Sequence, residues 1–175
     1  MEQLKQLQKS NVQTETLKNK VLSYTNEPLL KRLSYDLNLT NEEANIAFTE
    51  LKKFLFICGT NKERLTPSLV IDDIWHQFVL FTKSYIDFCE ENFGRVIHHL
   101  PDWEFSDESK NKNLKCYIRT CELIGSEFGE LNPNFWKNPN LLNAAKCSGD
   151  DTGTTGCNSN CANCGECSAN DPFSS

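Results

Sequence analysis

A chain of 175 residues with a net charge of −6, 38% hydrophobic and 24% charged residues is long enough for one ordinary hydrophobic core and too short for two. No basic stripe runs along it, which argues against nucleic acid as a partner. Its longest apolar runs, Phe54 to Cys58 and Phe78 to Phe81, fall far short of the ~20 residues of a membrane span, and the first residues, MEQLKQLQKSNVQ, carry neither the apolar core nor the cleavage site of a secretory signal. The expectation is a cytoplasmic location without membrane insertion.

Apolar residues recur at helical rather than alternating spacing through the first 146 positions, so the body reads as all-α. QTETLKNKVLSYTN puts Leu17, Val21 and Tyr24 on one face. EPLLKRLSYDLNL restarts with Pro28 in a first turn, where its missing N–H is not needed. TNEEANIAFTELKKFLFICGTN opens with Thr40 and Glu43 at the spacing of a capping box, and Gly59 suits its stop. Thr66-Pro67 signals another start, and a helix from about Ser68 to Asn92, ended by Gly94, is apolar nearly all round, which predicts a central helix buried by its neighbours. Further helices are expected over 107–128 and 138–145.

The composition changes at Cys147. The last 29 residues hold five cysteines, and no Leu, Ile, Val, Met or aromatic except Phe173, too little apolar surface to offset ordering entropy. Asp150, Asp151, Glu166 and Asp171 all follow the last basic residue, Lys146; setting these four aside takes the net −6 to −2 over residues 1–146. Two regions are therefore expected: a compact multi-helix domain around one central buried helix over 1–146, and a disordered, flexible Cys-rich tail over 147–175.

All 3 histidines lie within one window, as His76, His98 and His99. Asp72 and Asp73 precede His76 by one helical turn, close enough to ligate a shared ion or to orient the imidazole. If the chain turns back at Gly94, His98 or His99 can approach the same point. One carboxylate and two imidazoles around an open position suit Zn²⁺ or non-haem Fe²⁺; the bland alternative is a core histidine and an exposed pair. Cys89 lies more than three turns from His76 and cannot join it on a straight helix, so Cys58, Cys89, Cys116 and Cys121 read as small buried hydrophobes.

The run VIDDIWHQFVLFTKSYIDFCEENFGRVIHHLP, Val70 to Pro101, resembles the signature of the glycine-rich-domain-containing-protein-like family at Asp72, Trp75, His76, Thr82, Tyr85, Phe88, Cys89, Phe93, Gly94, His98, His99 and Pro101. Pro67 upstream also fits. The resemblance implies a fold and a composite polar cluster, but no agreed reaction. Where that family commonly shows a second histidine two residues after the first, this chain has Phe78. Residues two apart on a helix point about 200° from each other, so a site built on Asp72, His76 and the histidine pair need not need it.

In the tail, Cys157, Cys161, Cys164 and Cys167 are spaced closely enough for one loop to wrap a soft ion such as Zn²⁺ or Cu⁺, or an iron–sulfur cluster. The C-x3-C-x2-C triad within it matches radical SAM enzymes, but only eleven residues follow Cys164, and the α/β barrel that such chemistry needs is missing. Disulfides are disfavoured in a reducing compartment, and five cysteines leave one unpaired. The favoured reading is a metal-binding protein using zinc, iron or copper, with Asp72, His76, His98 and His99 in the body and the four cysteines in the tail. Alternatives are a precursor or carrier whose tail is altered by a modifying enzyme, and a helical module that binds another protein. Catalysis, as metal-assisted hydrolysis or oxygen chemistry, stays open.

Overall fold

The computed structural model describes residues 2–100 and 106–138. Six helices follow one another: α1 (Glu2–Ser23), α2 (Glu27–Asp36), α3 (Asn41–Thr60), α4 (Leu69–Leu80), α5 (Thr82–Phe93) and α6 (Asp107–Phe128). No strand occurs among the described residues, so the all-α expectation holds. The chain divides into two compact units, residues 1–100 and 101–175. The expected helix over 138–145 lies, apart from Asn138, outside the described residues, as does the whole Cys-rich tail.

In the first unit α3 is the buried centre, packed against α1, α2, α4 and α5. It presents Ala44, Ala47, Phe48, Leu51, Phe54, Leu55, Phe56 and Ile57 to the core. Its start is built as the sequence predicts: the Glu43 amide donates to the Thr40 hydroxyl at 3.2 Å, and the Thr40 amide donates to the Glu43 carboxylate at 2.8 Å. Those Thr40 donors hold the Glu43 carboxyl below its usual range. Asn26 caps α2 through the Leu29 amide, with proline in the first turn, and Leu29 and Leu33 face inward.

Gly59 does not end α3. The helix runs through Thr60 to a cap at Asn61, and a Cβ at Gly59 would lie 2.3 to 2.6 Å from atoms of the Phe93 ring. The glycine is there so that the end of α5 can pack against α3, not to release a turn. Arg95, just past Gly94, donates to the Cys58 carbonyl at 2.8 Å and ties the following segment to the same helix end, where a cation suits the dipole.

The continuous helix expected from Ser68 to Asn92 is two helices. Ser68, rather than Thr66, caps the first, accepting from the Ile71 amide at 3.2 Å. At Phe81 the backbone leaves the helical region (φ −83, ψ 57); its N–H bonds back to the Phe78 carbonyl at 3.0 Å, and its own carbonyl accepts the Tyr85 amide at 2.9 Å to begin α5. A straight helix would separate residues 75 and 85 by about 15 Å, yet the Trp75 indole N–H donates to the Tyr85 hydroxyl at 3.0 Å. With the non-helical dihedrals at Phe81, this contact marks a bend there, and each half buries one side. This bend, which gives the two halves different neighbours, explains why the segment is apolar nearly all round without being the central helix. Phe78 sits inside the fold, its ring centroid 5.3 Å from Phe48, 5.2 Å from Tyr85, 5.6 Å from Phe88 and 6.1 Å from Tyr24. Pairs of this kind contribute roughly 0.5–1.5 kcal/mol each beyond area burial.

One cation is enclosed by this core. Lys52 on α3 lies 5.1 Å from the centroid of the Phe48 ring and donates to the Leu22 and Tyr24 carbonyls at 2.5 and 2.9 Å, satisfying acceptors that the end of α1 leaves open. Burial lowers its ammonium to about 8.

In the second unit, Ser106 caps α6, accepting from the Ser109 amide. The bounds of α6 coincide with those read from the sequence. After Gly129, with φ 86, the segment to Asn138 returns along α6. It buries Trp136, which stacks against Tyr117 at 6.4 Å, and the Tyr117 hydroxyl donates to the Lys137 carbonyl at 2.7 Å.

Two outcomes follow for the first unit. Gly59→Ala should lower stability by about 1–3 kcal/mol, the usual range for overpacking; in urea melts, Gly59→Ala with Phe93→Ala should cost less than the sum of the single changes. Burial also raises the Cys58 thiol to about 12, and the Cys89 thiol and the Tyr85 phenol upward. These groups stay protonated in the fold while the unfolded chain releases their protons from about pH 9. Their stabilisation is full below that pH and lost above it. Lys52 acts oppositely between about 8 and 10.5, where the unfolded chain holds the extra proton. Three groups outweigh one, so the urea midpoint should fall between pH 9 and 11, and fall more steeply in Lys52→Met.

Candidate functional site

The first helical turn after Ser68 places Asp72 on the rim of α4, and His76 follows one turn later on the same side. Asp72 Oδ2 lies 3.6 Å from His76 Nδ1, and Asp72 Oδ1 lies 2.9 Å from His99 Nε2. One carboxylate thus faces two imidazoles, one on its own helix and one from 27 residues away. The two rings are 4.3 Å apart between centroids, inclined at 41°. The site is graded in exposure: the His99 side chain is 11% accessible, Asp72 32% and His76 51%. Its inner wall is Trp75, whose ring meets His99 edge-on at 4.4 Å.

His99 reaches this point because residues 95–100 run without helix and their burial alternates. Ile97 is buried, His98 exposed, His99 largely covered and Leu100 exposed. In an extended segment alternate side chains share a side, so once Ile97 enters the core His99 turns inward and His98 outward. The Ile97 carbonyl accepts the Tyr85 hydroxyl proton, and that hydroxyl also receives the Trp75 N–H. Tyr85 is therefore satisfied on both sides within the core, as a buried phenol requires.

Of the body residues singled out from the sequence, Asp72, His76 and His99 come together, with ligand atoms all within 4.8 Å of one another. His98 lies on the outer side of the segment and Asp73 faces solvent. The parity of Ile97-His98-His99 was the signal that separates the two histidines, given that Ile97 is apolar and needs the core. Cys157, Cys161, Cys164 and Cys167 lie outside the described residues. Cys89 and Cys121 are buried, while Cys58 and Cys116 are partly so. The break at Phe81 supplies the bend that Cys89 would need to approach His76, but its thiol lies by the Tyr85 hydroxyl instead. Phe78, in the place of a second histidine, is fully buried among aromatic rings, away from the half-exposed His76. Sequence reasoning left out the supporting roles of Trp75 and Tyr85; two polar-headed aromatics ten residues apart in an apolar run were the available sign.

Chemically the arrangement suits one small cation. Nitrogen and oxygen ligands about 2.0–2.1 Å from a tetrahedral ion lie about 3.3 Å from each other. The 3.6 Å and 2.9 Å contacts are made by different oxygens of Asp72, and with one ligand atom from each residue the set lies within 4.8 Å, so side-chain adjustment would be needed to close it on an ion. Without an ion, the same contact is a hydrogen bond between a carboxylate and an imidazole.

A family model described as UCP032817-like matches residues 13–142. It spans the whole of the 70–101 stretch and corrects the resemblance drawn from that stretch: the glycine-rich-domain-containing-protein-like family is not the one to which the motif belongs. Short motifs of aromatic, acidic and histidine residues carry less information than a pattern over most of the chain. No curated protein and no solved structure matches the chain.

The asymmetry of the histidine pair can be measured without any ion. His99→Ala removes the Asp72 bond and the Trp75 contact and should cost about 1–2 kcal/mol in urea unfolding at pH 7.5. His98→Ala, on the exposed side, should stay within about 0.5 kcal/mol of the parent.

Proposed function

This chain belongs to the UCP032817-like family, and we propose that its helical body binds one divalent metal ion through Asp72, His76 and His99. The observation that carries the reading is the convergence of one carboxylate and two imidazoles, from α4 and from the segment after α5, with their ligand atoms within 4.8 Å. Two imidazole nitrogens and a carboxylate oxygen are borderline ligands suited to Zn²⁺ or Fe²⁺. His98 is not part of this set.

The surroundings support the reading in two further ways. His76 is half exposed, so the remaining coordination positions face water, as in metal sites that keep an open position. Trp75 backs His99 on the core side, limiting the ring's freedom to turn away. An ion held there would polarise a bound water or carbonyl oxygen; Asp72, His76 and His99 supply the cradle, and no side chain is assigned as nucleophile or general acid. Among the described residues no helix is long and apolar enough to cross a membrane. The soft-metal and modified-tail readings concern Cys157, Cys161, Cys164 and Cys167, outside the described residues, and the proposal does not depend on them.

The test is metal titration of the purified full chain, followed by calorimetry and by elemental analysis after gel filtration. One equivalent of Zn²⁺ or Fe²⁺ should be retained, with affinity falling as pH is lowered because the imidazoles must be unprotonated to ligate. Loss of supporting residues around metal ligands costs 10–100-fold in affinity, so His76→Ala, His99→Ala and Asp72→Asn should each weaken binding by ~100-fold or more. The variant truncated after Lys146 should keep that equivalent. Retention unchanged in all three ligand variants, or no retention by the parent, would leave the cluster as a structural clasp between α4 and the 95–100 segment.

A further inference from the structure

We infer that the Tyr85 hydroxyl is a register lock: by holding the Ile97 carbonyl, it decides that His99, and not the adjacent His98, faces Asp72. As a statement about metal ligation the inference rests on the reading above; as a statement about which histidine meets the carboxylate it stands on the geometry alone.

The need for a lock comes from the sequence. Val96-Ile97-His98-His99-Leu100 has an apolar residue on each side of a histidine pair. Displacing an extended segment by one residue exchanges the two sides. The displaced arrangement would bury Val96, turn His98 toward α4, and expose His99. The observed arrangement turns one apolar residue, Ile97, inward with His99, whereas the displaced one would turn two, Val96 and Leu100, inward with His98, so hydrophobicity alone does not select the observed register. Leu100 is 80% accessible in the observed register, and it would be turned inward in the other. The choice therefore falls to a group that reads the backbone.

Tyr85 is such a group. Its hydroxyl donates to the Ile97 carbonyl, two residues before His99, and its oxygen accepts the Trp75 indole N–H at 3.0 Å. Trp75 lies between Asp72 and His76 in sequence and touches the His99 ring. The same pair thus refers the loop's register to the helix that carries the other two ligands. The Tyr85 side chain is buried and its ring is fixed against Phe78 at 5.2 Å, so the hydroxyl cannot follow a shifted segment without disturbing the core. Arg95, bonded to the end of α3, anchors the segment's beginning, and Tyr85 its middle. Tyr85 is a positioning residue: it touches neither Asp72 nor an ion.

The test uses the full chain and Co²⁺, whose visible absorption reports ligand number and geometry. In the parent, His98→Ala should leave Co²⁺ affinity and spectrum unchanged. His99→Ala should lose affinity by ~100-fold or more, with no substitution by the neighbouring His98. In the Tyr85→Phe background the gap between these two variants should close to within about tenfold, as both histidines gain access to Asp72. Trp75→Phe, which keeps the hydroxyl and its bond to Ile97, should retain selection of His99. Phe93→Leu serves as a control for destabilisation alone and should also retain it. A His99→Ala protein that binds Co²⁺ through His98 with Tyr85 intact would overturn the inference even where Tyr85→Phe does not fold, and so would an unchanged gap in a folded Tyr85→Phe. Should the parent bind no Co²⁺, the metal reading fails separately. Ring ¹⁵N spectra of the metal-free protein then decide: His99 should show a single hydrogen-bonded tautomer in the parent and averaging in Tyr85→Phe, and an unperturbed His99 ring in that variant would sink the lock.

Discussion

The bend at Phe81 is the constraint on which the first unit depends. Two helices of 12 residues each share that one residue as C-cap and N-cap, and no side chain caps the second helix at its start. What holds the bend is tertiary: Phe78 and Phe88 meet across it, and so do Trp75 and Tyr85. A single straight helix would carry apolar residues on every side. Breaking it at Phe81 lets α4 pack on α2 and α3 while α5 packs on α1 and α3.

Three polar side chains in this core each hold something. Lys52 closes the carbonyl end of α1, Tyr85 takes one hydrogen bond and gives another, and Trp75 gives its single N–H. Each joins elements that apolar packing alone could let slide, because dispersion and area burial are not directional. Gly59 acts by the opposite means: it withholds a side chain so that the Phe93 ring can come close to α3. Together these features locate the end of α5, hence Gly94 with φ 65, and hence the segment that delivers His99.

Much of the helix pattern was legible. The capping box at Thr40 and Glu43, the proline in the first turn of α2, the stop at Gly94 and the bounds of α6 all rest on local rules that tertiary packing did not override. The bend at Phe81 was not legible because Leu80, Phe81 and Thr82 include neither proline nor glycine, and its cause lies in contacts ten residues apart. The grouping of Asp72 with His76 follows from helical spacing, whereas the choice between His98 and His99 needs the parity of an extended segment whose inward residue is known only from the core. Gly59 looked like punctuation, since a stop and a close approach ask for the same residue. The 70–101 motif pointed to one family, and the pattern over 13–142 places the chain in another.

The polar contacts around the bend also have a kinetic side. Trp75 to Tyr85, Tyr85 to Ile97 and Asp72 to His99 span 10, 12 and 27 residues, and every one of them lies within the stretch from Ser68 to Leu100. Such separations make loop closure inexpensive in entropy and fast. This stretch therefore has the makings of a cooperative opening unit, a foldon whose amides lose protection from hydrogen exchange together. A ligand bridging Asp72 and His99 would then slow exchange across the whole stretch, far beyond the residues that it touches.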